Sequence, residues 1–261
     1  MMYKNIFDTH AHYDDEAFQD DLEGLLSAFP DSGISGVVSC GVNEESSRAN
    51  VQLAEKYDFM YAAVGYHGLN TEDLTDNYLD AIKALAQKEK VVAIGEIGLD
   101  YHYEKESREL QLKIFYEQIE LANKLNLPVI VHDREAHEDT LNILKELKPK
   151  GVVHCFSGSV EMAKEIVKLG MYIGLGGAVT FKNAVKPVEV AKYVPSDKLL
   201  LETDCPYMSP VPFRGKRCTS LLIPYTAQKI AEVRSVDVQD LLDITDRNAR
   251  SLFNIPPTYT V

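Results

Sequence analysis

The sequence predicts an α/β fold, a closed (β/α)8 TIM barrel of parallel strands. Eight short apolar runs recur along the chain, separated by stretches with helical spacing. The runs are apolar throughout, as strands covered on both faces are. The length, 261 residues, matches one barrel of about 250. Strands alternating with helices suit a closed barrel. A doubly wound open sheet is the rival, but no G-x-G-x-x-G follows the first strand.

The first strand is read over 5–12, apolar up to Phe7 and polar after it. The other seven are 36–40, 59–65, 91–96, 127–132, 151–154, 171–175 and 199–204. Between them, 43–57, 71–89, 105–126, 134–147, 159–169 and 187–194 read as helices, and 219–234 and 237–254 follow the eighth strand. In 105–126, Leu112, Phe115, Ile119, Ala122 and Leu125 recur at helical spacing. Thr71 reads as the cap of its helix. Pro128 marks a stop for the helix that precedes it. No repeat, low-complexity tract or linker divides the chain, so residues 1–261 are expected to form one domain.

The chain holds 27 Lys+Arg against 40 Asp+Glu, a formal charge of −13. That balance argues against a general nucleic-acid coat protein, yet allows an enzyme with a local basic patch. No apolar run approaches the roughly 20 residues of a membrane helix. The N-terminus lacks the basic, apolar and small-residue regions of a signal peptide, so none is expected. Cys40, Cys155, Cys205 and Cys218 are too scattered for a disulfide framework, and a reducing cytoplasm is expected.

In such a barrel the active site lies where the strands end. His10 and His12 close the first strand, two residues apart and therefore on one face. Glu96 ends the fourth, His132 the fifth, His154 the sixth and Asp204 the eighth. Any one of these histidines alone suits a hydrogen-bonded core. Six ligand-type residues at one barrel end point instead to metal. Their number suggests two divalent ions: His10, His12 and Asp204 for one, His132 and His154 for the other, with Glu96 bridging. Such a pair generates hydroxide at neutral pH, and Asp204 could accept the proton. Glu202 faces the same side one layer deeper, either to orient a ligand or to pair with a buried cation. Cys155 and Cys205 should point away from the ligands, as small buried residues.

Asp8-Thr9-His10-Ala11-His12, Gly95-Glu96-Ile97-Gly98-Leu99-Asp100-Tyr101, Val131-His132, His154-Cys155-Phe156-Ser157-Gly158 and Glu202-Thr203-Asp204-Cys205-Pro206-Tyr207 together resemble the TatD family of metal-dependent hydrolases. The loop from Pro210 to Arg217 is similar too, and the likeness runs from about residue 5 to 254. The resemblance implies a (β/α)8 barrel and a metal-dependent deoxyribonuclease, with deacylases of D-aminoacyl-tRNA as the family's second described activity. It also implies that His10, His12, Glu96 and Asp204 hold one metal and Glu96, His132 and His154 the other. His67 would stand near the substrate. This chain departs from the family pattern at Gly68, where proline is usual, at Asp133, where serine is usual, and at Cys218-Thr219, where Asn-Glu is usual. Asp133 is expected to add negative charge beside the site.

The expected activity is hydrolysis of DNA phosphodiester bonds, with zinc, manganese or magnesium as metal. Asp204 and Glu202 are the expected catalytic pair, and His67, Arg214 and Lys216 the substrate contacts. Basic groups beside Phe213 and Tyr207 suit a single strand entering from its end. No membrane partner is expected, and a monomer is favoured.

Overall fold

A computed structural model describes residues 3–72, 74–103 and 107–257. Eight parallel strands follow one another around the sheet in chain order: β1 (Ile6–Ala11), β2 (Ile34–Cys40), β3 (Met60–Val64), β4 (Val91–Asp100), β5 (Val129–Arg134), β6 (Gly151–Val153), β7 (Tyr172–Leu175) and β8 (Leu199–Leu201). Closure between β8 and β1 comes from a bridge at Ala11 and Cys205 and from the Asp204 N–H, which donates to the His10 carbonyl at 3.0 Å. The result is a TIM barrel, as the sequence predicts.

Helices pack outside: α1 (Leu22–Ser27), α2 (Glu44–Lys56), α3 (Tyr78–Leu85), α4 (Arg108–Leu125), α5 (His137–Leu147), α6 (Val160–Lys168), α7 (Val185–Tyr193), α8 (Ile223–Arg234) and α9 (Val238–Phe253). Their boundaries follow local chemistry. Asn43, Ser107, Ser159 and Asp237 each accept a backbone N–H in the first turn of α2, α4, α6 and α9. Asn126, in the left-handed region, ends α4 two residues before Pro128.

Several boundaries differ from the sequence reading. Thr71 does not cap α3, which starts at Tyr78, and residues 71–72 and 74–77 are turn and loop. Residue 73, within the expected helix 71–89, and residues 105 and 106, at the start of the expected helix 105–126, lie outside the described residues. The short helix α1 was not foreseen. The strand expected over 199–204 stops at Leu201, because Asp204 turns left-handed at φ 59°. In contrast, β4 runs to Asp100, since residues 97–100 pair with residues 131–134 of β5.

The core has two layers. Ile6, Val37, Val64, Ile94, Ile97, Val131 and Leu201 face the helices. Phe7, Val38, Cys40, Ala63, Ala93, Ile130, Val152 and Leu200 fill the barrel, and Phe253 and Ile255 close it from below. The polar strand ends occupy the other mouth. Among the described residues, no helix is long and apolar enough to cross a membrane.

Candidate active site

Glu96 stands at the centre of the upper mouth, and a register shift in β4 puts it there. Ile94 and Ile97 both face the helices although they are three positions apart, and the pairing with β5 shifts between them. Such an irregularity re-aims the side chain beside it, a common device next to active sites. After the shift, Glu96 and Asp100 share the inward face.

One carboxylate oxygen of Glu96, Oε1, lies 2.8 Å from His132 Nδ1, 2.9 Å from His154 Nε2 and 3.7 Å from His67 Nε2. The other, Oε2, lies 3.3 Å from His12 Nε2 and 3.5 Å from His10 Nε2. Asp204 Oδ1 is 3.6 Å from both His10 and His12. All six residues expected as ligands therefore converge, with His67 beside them. Burial alone would raise the Glu96 carboxyl, yet His154, His67 and His10 hold it well below the usual range. Burial also works against a charged His12 and a charged His154. Asp204 and Glu96 nevertheless raise His12, and Glu96 and Glu202 raise His154. His67 is different: burial, with His132 beside it, lowers it to about 3, so its ring is neutral.

The outward nitrogens of these histidines are positioned too. His12 Nδ1 donates to the Cys40 carbonyl at 2.9 Å. His132 Nε2 faces Asp100 Oδ2 at 3.2 Å, whereas His154 Nδ1 has no hydrogen-bond partner and Glu202 Oε1 stands 3.7 Å from it. His67 Nδ1 accepts the Leu69 N–H at 3.1 Å, which leaves its proton on Nε2. A histidine that holds a metal with one nitrogen commonly has the other fixed in this way.

This donor set fits divalent metal. His10 Nε2 and His12 Nε2 face each other at 3.0 Å, and His132 Nδ1 and His154 Nε2 at 3.2 Å. Ring nitrogens aimed at one another repel unless a cation or proton lies between them. Three groups of ligand atoms, each gathered within 4.8 Å, draw on His10, His12, His67, Glu96, His132, His154 and Asp204. Nitrogen with carboxylate oxygen suits zinc or manganese, and the oxygens also suit magnesium.

Glu202 is fully buried, and among the described residues no lysine or arginine pairs with it. Oε1 accepts the Cys155 N–H at 2.6 Å, and Oε2 has no hydrogen-bond partner. Room for it exists because residue 174 is glycine: a Cβ there would stand 2.5 Å from Oε2. Two further carboxylates went unassigned in the sequence. Asp100 orients His132, and its signal was its even spacing from Glu96 on one strand face. Asp8, buried, accepts from Thr203 Oγ1 and Ser220 Oγ at 2.6 Å each, tying the turn before Asp204 to the entrance of α8. Burial pushes Asp8 up to about 7.

Other expectations are corrected. Asp133 adds no charge to the site: it sits on the opposite face of β5, where Oδ2 lies 2.7 Å from His137 Nδ1. Cys155 is only half-buried, because its left-handed backbone at φ 40° breaks the strand alternation, whereas Cys205 is buried as expected. At position 68 a Cβ would meet the Gly98 carbonyl oxygen at 2.7 Å, so this turn requires glycine. Arg214 and Lys216 are exposed and line a groove beside the site, joined to it at Asp15 and Tyr207. Arg214 stacks on Phe181, 3.7 Å from the ring centroid. Arg217 is committed to Asp21 by two contacts of 2.7 and 2.6 Å.

The cluster opens into a cavity of about 380 Å³, walled by His12, His67, Glu96, Asp100, His132 and Asp204 and by the loop residues around them. The family model described as TatD related DNase matches residues 7–254. The chain belongs to the TatD family. The metal-dependent hydrolase YabD of Bacillus subtilis is 44% identical over 253 residues, 96% of this chain and 99% of that protein. YcfH of Escherichia coli, named likewise, is 36% identical over 96% of each chain. Both are described as uncharacterized. The crystal structure of YjjV, the TatD homolog of Escherichia coli, superposes with a TM-score of 0.91 at 33% identity, covering 98% of this chain and all of that one. The protein is thus a metal-dependent hydrolase of the TatD family.

Proposed function

We propose that this TatD-family hydrolase is a deoxyribonuclease that trims nucleotides from the ends of single-stranded DNA. The observation that carries the reading is the two-sided contact of Glu96, with Oε1 toward His132 and His154 and Oε2 toward His10 and His12. In this reading Glu96 would hold two divalent ions, zinc, manganese or magnesium, one together with His10, His12 and Asp204 and the other together with His132 and His154. When bound, such a pair supplies hydroxide at neutral pH and neutralises charge on the oxygens of a displacement.

The chain's own groups do the rest. Burial works against an ionised Asp204, but His12 and His10 hold its carboxyl below the usual value, so it is ionised and ready to accept the proton of the attacking water. Glu202 acts through His154, holding that ring toward Glu96. The neutral His67 ring can donate its Nε2–H to a phosphate oxygen. Arg214 and Lys216 take the next phosphate in the adjoining groove. The whole chain, 1–261, serves as one catalytic unit, monomeric and cytoplasmic.

Single strands labelled at the 5′ or the 3′ end, compared with a closed circle, test this. Shortening of the linear strand with manganese or magnesium, stopped by chelator, is the expected result. Equal cutting of the circle overturns the end-first reading.

A second reading, hydrolysis of an acyl ester such as a D-aminoacyl-tRNA, is favoured by one observation. Five carboxylates and neither lysine nor arginine line the cavity among the described residues, which suits the cationic aminoacyl end of such an ester. Hydrolysis of D-aminoacyl-tRNA with no cutting of DNA would establish it.

A further inference from the structure

We propose that Tyr103 and Tyr207 form a stacking subsite at the mouth of the cavity for an unpaired nucleobase. The proposal rests on the phosphodiester reading above and names what holds the strand there.

The cavity itself offers an anionic strand little. Its described walls carry Asp14, Asp15, Glu96, Asp100 and Asp204 and no lysine or arginine. Two divalent ions would offset part of that charge and hold one phosphate. Within the cavity, affinity for a neighbouring nucleotide must therefore come from contacts that do not depend on charge. Base-on-aromatic stacking is such a contact, and it tolerates any base.

Tyr207 and Tyr103 are 57% and 51% exposed, the most exposed aromatic side chains among the described residues. Both line this cavity. A large exposed ring at the rim of a catalytic pocket loses water readily when a planar group covers it.

The backbone of each tyrosine is also tied to the cluster. The Tyr207 N–H donates to the Asp204 carbonyl at 2.9 Å, and its hydroxyl donates to Asp15 Oδ2 at 2.9 Å. The Tyr103 N–H donates to Asp100 Oδ1 at 3.3 Å, while Asp100 Oδ2 faces His132 at 3.2 Å. The His102 ring meets Tyr103 edge-on at 4.9 Å, and the Arg134 guanidinium lies 4.9 Å from its centroid. Two turns, after β4 and after β8, thus each place an aromatic residue in the lining of the cavity that holds Glu96 and Asp204. Platforms held in this way bind with less loss of conformational freedom. Tyr207 also stands where the cavity meets the Arg214–Lys216 groove. A base on Tyr207 would direct the next phosphate toward those two cations.

The test is fluorescence anisotropy with a labelled single-stranded oligonucleotide and a strand of equal length whose terminal nucleotides are abasic, in calcium to suppress turnover. Wild-type protein, Tyr103→Ala, Tyr207→Ala and the matching phenylalanine variants are compared, with melting temperature as the folding control. Each alanine variant should bind the normal strand about ten-fold more weakly. Phenylalanine should restore binding, and the abasic strand should bind equally weakly to all five proteins. Equal affinity of wild type for both strands, equal losses on both strands, or no binding of either strand overturns the proposal. Hydrolysis of methyl p-nitrophenyl phosphate, a diester without a base, is measured separately. Its absence counts against the phosphodiester reading, whatever the binding contrast shows.

Discussion

His10 and His154 stack across the barrel, their ring centroids 3.8 Å apart and their planes 13° from parallel. One stands on β1 and the other just past β6, so the contact spans the barrel mouth. Two buried imidazoles this close need a counter-charge, and Glu96 reaches both. Burial, followed by the charge of His154, lowers His10, whereas Glu96 raises His154 in spite of burial.

Glu96→Gln keeps the size of the side chain and removes that charge. The expected outcome is loss of most bound metal with the fold retained. The fall in activity should exceed the roughly 100-fold upper range for residues that only orient a ligand. Elemental analysis beside circular dichroism checks this, and an active variant with full metal occupancy would contradict it.

In the proposed reading Asp204 is a direct ligand and Glu202 a group behind one. Asp204→Asn should then abolish turnover, because that reading makes Asp204 both a ligand and the proton acceptor. Glu202→Gln should retain metal and lower the rate by about 10–100-fold, through a less well-held His154. Metal content and kcat measured together decide the matter: equal metal loss in both variants would make Glu202 a ligand.

Arg214 lies in the groove beside the cavity and not in the cluster. A clamp at that distance acts alike on bound substrate and transition state. Arg214→Ala should therefore raise KM for a single strand several-fold and leave kcat within about two-fold. Steady-state kinetics on strands of increasing length show it, and a fall in kcat with KM unchanged would place Arg214 at the reacting phosphate.

The Asp133–His137 pair, outside the site, carries a pH dependence of its own. Asp133 at 2.7 Å raises His137 above 6.5 despite partial burial. A raised histidine contributes stability that is fully present below its unfolded value near 6.5 and is lost as pH rises through the folded value. His137→Gln should thus lower the melting temperature at pH 5.5 by more than at pH 8.5. The difference should be modest, because the ring is 39% exposed. An equal shift at both pH values would remove the linkage.

The sequence by itself determined the barrel and the membership of the cluster. Eight doubly covered strands must be apolar, so their runs stand out, and the polar residues that end them must then share one face. His10, His12, Glu96, His132, His154 and Asp204 were all legible in this way. Only the tertiary structure decided how they meet. The shift in β4 that turns Glu96 inward depends on pairing with β5, which no local pattern encodes. The left-handed backbone at Asp204 and Cys155 breaks the two-residue alternation used to orient both. Asp100 and Asp8 are single acids whose partners lie 32 and 195 residues away, at His132 and Thr203. Arg214, Lys216 and Arg217 look equivalent in sequence and all line the groove, yet Asp21 engages Arg217 while Arg214 stacks on Phe181. Such choices rest on distances between segments remote in the chain, and those exist only once the barrel has closed.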